Sequence, residues 1–231
     1  MMFTCYMLTC GAEKIATRHY CGGGESIFLL HGAGNASQAR LQKVAEFLQG
    51  NQFNVVSLDY SGHGESSRNA PSSINIKTEQ AHAVIRHYAH QNQPIHLFAW
   101  SMSGQIAVNL LAHMPNIASL TLFAPALYAK DILPIEFGCH FTRAIREHGN
   151  WSRSNAVRIL PHFSGCLNLV RPENDDIIPK EVFEMYRTLS PQNRFQEVVL
   201  PHAPHTLGAW FDEDVARFEL VFRQIRWCEA A

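Results

Sequence analysis

Ser101 lies where a strand-like run meets a helix-like run, and that junction constrains the chain more than any other feature. Pro94-Ile95-His96-Leu97-Phe98-Ala99-Trp100 is short and apolar and reads as an interior strand. Beyond it, Ile106, Ala107, Leu110 and Leu111 recur at helical spacing within Met102–His113, and Pro115 follows as a stop. A serine on so abrupt a corner is lifted out of the sheet, beside the N–H groups of the new helix. Those groups can stabilise the negative charge that builds on a carbonyl under attack. The corner also brings together the residues two before and two after the serine, so both must be small. For Ser101 they are Ala99 and Ser103; for Ser103 they would be Ser101 and Gln105, and Gln105 is too large. Ser101 is the candidate nucleophile, set against the plainer reading of a buried serine that caps a helix.

The rest of the chain alternates. Met2–Thr9 and Lys14–Tyr20 read as an opening hairpin around Gly11, and Ser26–Leu30 as a short buried strand. A helix is expected over Ser37–Gln49, a strand over Phe53–Leu58 and a helix over Ile76–His90. After the Ser101 helix come a strand over Ala118–Phe123, then strands over Cys166–Val170 and Phe195–Leu200 flanking a helix over Lys180–Leu189. One last helix is expected over Ala209–Trp227. Uninterrupted apolar strands alternating with helices imply an α/β fold, a mostly parallel sheet with helices on both faces. Such sheets bind ligands beyond the carboxyl ends of their strands, where every polar loop of this chain falls.

Three of those loops carry chemistry. His31-Gly32-Ala33-Gly34 follows the Ser26–Leu30 strand, and its glycines let backbone approach a ligand closely. The N–H groups of Ala33 and Met102 would make a two-donor oxyanion hole. His31 reads better as an organiser of its loop than as a catalyst. Arg171-Pro172-Glu173-Asn174-Asp175-Asp176 puts acids beyond a strand end, where Asp175 or Asp176 could orient a histidine or cap the next helix. Pro201-His202-Ala203-Pro204-His205 follows the final strand; either histidine could sit between serine and carboxylate as general base. The chain order is serine, acid, histidine.

These motifs together resemble the α/β-hydrolase superfamily across nearly the whole chain. Ala99-Trp100-Ser101-Met102-Ser103-Gly104 resembles its nucleophile elbow, with Ala99 and Ser103 where glycines are usual. Asp59-Tyr60-Ser61-Gly62-His63-Gly64-Glu65-Ser66 resembles a stretch that recurs after the family's fourth strand. Asn174-Asp175-Asp176-Ile177-Ile178-Pro179 resembles the acid loop. The resemblance implies Ser101, Asp175 and His205 as the triad, and Ala33 and Met102 as the oxyanion hole. It implies one domain over residues 1–231 with a small cap insertion at about 126–164. The cap is apolar and aromatic, and Trp100, Tyr128, Phe137 and Phe141 are expected to contact substrate. His140, His148 and His162 are further polar candidates there. A serine hydrolase of a carboxylic ester or thioester follows, with an apolar acyl or aromatic substrate and no metal or organic cofactor. The alternatives are an acyl-thioesterase or acyltransferase of a biosynthetic pathway, and a ligand-binding receptor on the same scaffold.

Composition narrows the partners. A formal net charge of −1 gives no electrostatic reason to expect nucleic acid or an anionic membrane. No stretch approaches the roughly 20 apolar residues of a membrane span. Six cysteines are scattered without the paired short spacing of a zinc site, and reduced, buried thiols in a cytoplasmic protein are expected. A small-molecule acyl compound is the expected partner; oligomeric state is not legible.

Overall fold

The computed structural model describes residues 3–89 and 93–228. Met2 and His90, the expected ends of one strand and one helix, lie outside the described residues. Eight strands form one sheet: β1 (Thr4–Cys10), β2 (Glu13–Tyr20), β3 (Ser26–Leu30), β4 (Asn54–Leu58), β5 (Ile95–Trp100), β6 (Ile117–Phe123), β7 (Cys166–Asn174) and β8 (Phe195–Pro204). Their spatial order is β1-β2-β4-β3-β5-β6-β7-β8. Only β1 and β2 run antiparallel to their neighbours; β3 to β8 are parallel.

Side-chain alternation explains why helices cover both faces. Phe28, Leu30, Leu97, Ala99, Leu120 and Leu122 point into one apolar cluster, and Ile27, Leu29, Phe98, Trp100 and Phe123 into another. A strand whose odd and even residues are both apolar must be covered twice. The first cluster is closed by α2 (Ile74–Tyr88), α3 (Ser103–Leu111) and α6 (Lys180–Leu189). The second is closed by α1 (Gln42–Gly50), α7 (Leu207–Glu213) and α8 (Val215–Phe222). Between β6 and β7 lie two short helices, α4 (Cys139–Ile145) and α5 (Ala156–Ile159), with 3-10 turns at Asn150–Arg153 and Leu160–His162.

Two expectations are corrected. The single last helix is two, because Asp214 adopts an extended backbone and its carboxylate accepts the Ala216 N–H, starting α8 afresh. The cysteines are not uniformly reduced and buried. Cys166 and Cys228 form a disulfide that ties the chain's last described residue to β7, while Cys5, Cys21 and Cys139 are exposed. The paired residues meet because the tail after α8 returns to the sheet, where the Asn168 side chain also binds the Arg226 backbone. Among the described residues no helix is long and apolar enough to cross a membrane.

Gly104, the second residue of α3, is where the helix presses on the strand exit after β6. A Cβ there would sit 2.5 Å from Pro125 Cβ and 3.0 Å from its Cα. Gly104→Ala is therefore expected to destabilise the fold by about 1–3 kcal/mol despite alanine's better helix propensity. Urea unfolding checks this; an unchanged midpoint would mean that the contact is not tight.

Candidate active site

Backbone strain marks the position of Ser101. Its φ is +50°, a left-handed conformation that non-glycine residues rarely adopt. Three backbone hydrogen bonds hold it there: Ser101 N–H donates to Phe123 C=O at 2.9 Å, and its C=O accepts from Gly104 (2.8 Å) and Ala126 (2.9 Å). Small neighbours permit the turn, as expected. Ser103 does more than fit, since its buried hydroxyl donates to His31 C=O at 2.5 Å and meets the Tyr60 hydroxyl at 3.2 Å. The elbow's second flank is thereby tied to the loop after β3. A glycine could not make that bond.

Sheet register delivers the acid and the histidine. Parallel neighbours β7 and β8 pair Asn174 with Pro204, so the next residue of each, Asp175 and His205, leave the sheet side by side. Asp175 Oδ2 lies 2.9 Å from His205 Nδ1, and His205 Nε2 lies 3.0 Å from Ser101 Oγ. Because Nδ1 faces a carboxylate it carries the proton, which leaves the Nε2 lone pair to accept from the serine hydroxyl. Asp175 is itself fixed by the N–H groups of Ile177 and Ile178, both 2.9 Å from Oδ1. Asp176 is exposed and does not reach the imidazole. His202 points to solvent, with Glu173 as its neighbour.

The loop after β3 lies against the serine. A Cβ on Gly32 would stand 3.2 Å from Ser101 Cβ, so only glycine allows this approach. Among the described residues neither Ala33 N–H nor Met102 N–H has an acceptor. His31 organises this loop: Nδ1 donates to Gly32 C=O at 2.7 Å and Nε2 accepts the Tyr60 N–H at 3.2 Å. Burial, then the nearby His63, push its pKa down to about 3. Tyr60 is held in turn by the glycine-rich loop, in which Asp59 accepts from Gln38 N (2.7 Å) and Glu65 N (3.0 Å). A Cβ on Gly64 would fall 2.0 Å from Asp59 Oδ2, which is why glycine stands there. That motif is structural support for the His31 loop, a role its sequence did not disclose.

A cavity of about 500 Å³ opens at Ser101, walled by Trp100, Phe123, Leu41, Ile177, Leu207 and His205. Trp100 stacks on Phe123 with ring centroids 4.2 Å apart. The other expected contacts lie elsewhere. Tyr128 and Phe141 pack edge to face on one another and into the core, and Phe137 lines a neighbouring cavity. The described walls of the Ser101 cavity come from the β3–α1 loop, the ends of β5 and β6, the loops after β7 and β8 and the start of α7, with none from residues 126–164. Aromatic content alone could not tell wall from core. Neither His140 nor His148 lines a cavity at Ser101, and His162 faces a separate one near α5.

Comparison with known proteins bears on the family and the fold. The family model described as Serine aminopeptidase, S33 matches residues 24–163, more than half of the chain. Monoacylglycerol lipase ABHD6 of Bos taurus is 31% identical over 195 residues, covering 80% of this chain and 51% of that protein. The chain spans about half or less of the length of the curated relatives it matches. Among solved structures, Est816, an N-acyl homoserine lactone degrading enzyme, superposes with a TM-score of 0.74 at 17% identity, over 96% of this chain and 100% of that one. The thioesterase domain from the curacin biosynthetic pathway gives 0.72 at 18% identity, over 95% of this chain and 100% of that one. At such identities the superpositions speak for the fold.

A histidine held neutral in the fold but free to protonate when unfolded gives the unfolded state the extra proton. His31 thus contributes stability that is complete above about pH 6.5 and is lost as pH falls toward about 3. Urea unfolding between about pH 5.5 and 4 should show a slope of about 1.4 kcal/mol per pH unit from this residue. His31→Asn should lower the stability at neutral pH and flatten that slope by one proton. Equal slopes would mean that His31 is not kept neutral.

Proposed function

The chain belongs to the Serine aminopeptidase, S33 family within the α/β-hydrolase superfamily, and on that premise we propose that it cleaves a carboxylic ester or thioester through an acyl-Ser101 intermediate. One observation carries this reading: the unbroken hydrogen-bonded line from Ser101 Oγ through His205 to Asp175. A serine hydroxyl is a weak nucleophile until a base takes its proton as the new bond forms. His205 Nε2 is placed for that transfer, and Asp175 holds the tautomer and stabilises the imidazolium.

Attack puts negative charge on the carbonyl oxygen. The N–H groups of Ala33 and Met102 receive it without reorganising, because neither has another acceptor among the described residues. Collapse of the tetrahedral adduct breaks the bond to the alcohol or thiol, which leaves with the proton held on His205. Water then repeats the sequence on the acyl-serine, returning the serine hydroxyl and releasing the acid. Side chains and water suffice for each step.

The cavity at Ser101 is mainly apolar, which favours a hydrocarbon or aromatic group on the substrate, with Trp100 as one wall. Residues 126–164 make a short cap whose aromatics chiefly pack it down; Phe137 alone of the expected cap contacts faces an open cavity beside the site. The relative called a monoacylglycerol lipase is named for cleaving such an acyl bond, which supports the ester class.

Ser101→Ala should reduce hydrolysis of a p-nitrophenyl ester by at least about 10⁴-fold and abolish fluorophosphonate labelling, with an unchanged melting transition. His205→Ala should be comparably severe and His202→Ala mild. Undiminished turnover by the serine variant refutes the assignment; a folded wild type inert to both ester and probe would favour a binding protein.

A further inference from the structure

A buried ammonium without a counter-ion among the described residues lies one loop away from Ser101. A second cavity, of about 620 Å³, adjoins the first, and Ala33 lines both. Met102 and Phe137 form part of its wall, and Lys77, Arg68 and His63 bring cationic or cation-capable groups to it. Lys77 projects from α2 and is 2% exposed. Its Nζ donates to Ser61 C=O at 3.0 Å and lies 5.1 Å from the Tyr60 ring centroid and 5.2 Å from that of Phe137.

An ammonium has three N–H donors, so a single carbonyl leaves it short of acceptors. Among the described residues no carboxylate comes within ion-pair distance of Nζ, and the nearby charge acting on it is that of Arg68, which is also positive. Burial first, and Arg68 second, push its pKa down to about 8. Arg68 is exposed at the rim, lies across Gly62, and makes no ion pair with a described residue. His63 keeps one ring nitrogen on Ala36 C=O and has its pKa lowered, by burial first and by Lys77 second. Glu136 is the one carboxylate among the described lining residues, and it is exposed.

An uncompensated buried charge is costly, and an apolar side chain of similar length would fill the site without that cost. We infer that this cavity binds a carboxylate- or phosphate-type anion at the far end of the substrate's acyl half, with Lys77 as its buried counter-charge and Arg68 at the rim. The inference rests on the acyl-serine reading above. The leaving oxygen must lie at His205, which lines the first cavity and not the second. Of the two oxyanion donors of that reading, Ala33 lines both cavities and Met102 the second, so the acyl chain runs past them toward Lys77. A short apolar spacer would then contact Met102 and Phe137.

The test compares kcat/KM for mono-p-nitrophenyl adipate, its phosphonate analogue of equal length, and the neutral p-nitrophenyl hexanoate. The anionic esters should be preferred by about tenfold or more, and whichever anion is preferred identifies the head group. Lys77→Met should cut the anionic-to-neutral ratio by about 10- to 100-fold, and Arg68→Ala, at the exposed rim, by about 3- to 10-fold. The rim variant leaves the core untouched and keeps the test open even if Lys77→Met does not fold. A ratio that neither variant moves overturns the inference. A second readout requires no turnover: calorimetric binding of adipate and of its phosphonate analogue to the Ser101→Ala protein, with and without Arg68→Ala or Lys77→Met. Binding that weakens with these substitutions, when the wild-type protein is inert toward all three esters, would sustain the anion site and sink the hydrolase reading. No binding of either anion would overturn the site itself.

Discussion

A serine backbone held at φ +50° is the constraint on which the rest of this molecule depends. Left-handed geometry costs a β-carbon-bearing residue free energy on the order of 1–3 kcal/mol, and it persists only where the surroundings over-determine it. Here Phe123, Gly104 and Ala126 all bond the Ser101 peptide, so the ends of β5 and β6 and the start of α3 fix one residue from three directions. The hydroxyl is thus presented above the sheet, and two N–H groups are left facing the same space. Ser103 extends the constraint by fastening the elbow to His31 C=O.

The neighbouring loop is kept in place by a chain of largely buried hydrogen bonds. Asp59 fixes the glycine-rich turn, the turn fixes Tyr60, the Tyr60 N–H fixes His31, and His31 fixes the Gly32 carbonyl. Each link places a polar group in a dry interior with its partner supplied, the condition under which such networks give rigidity. A histidine held neutral at ordinary pH suits this task, because burial first, and the nearby His63 and Lys77 after it, oppose a charge there.

The site is asymmetric in charge. One cavity, with His205 and Trp100, is largely hydrocarbon; the other, beyond Ala33, gathers Lys77, Arg68 and His63 around aromatic faces. A substrate that spans both would be oriented by that difference alone, one end excluded from the cationic side by desolvation and the other drawn to it. The aromatics of residues 126–164 contribute chiefly by packing, and Phe137 is the exception because it stands over the Lys77 ammonium.

Local pattern sufficed for much of this. Apolar alternation read out the parallel strands, small residues around Ser101 read out the corner, and glycines after β3 read out the close loop, because each is a short-range steric demand. The resemblance chose Asp175 over Asp176 and His205 over His202, and the three-dimensional reason is the β7–β8 register, which sets Asn174 against Pro204. Register joins residues far apart in the chain and leaves no mark in either segment. For the same reason the sequence could not say that Cys166 meets Cys228, that Asp214 divides the last helix, or that Tyr128 and Phe141 turn inward. Lys77 is the plainest case. Within its helix it shares the inward face of Ile74, Ala81 and Val84, and the packing of the glycine-rich loop and Phe137 around it decides that its charge meets a carbonyl and aromatic faces, with no carboxylate partner among the described residues.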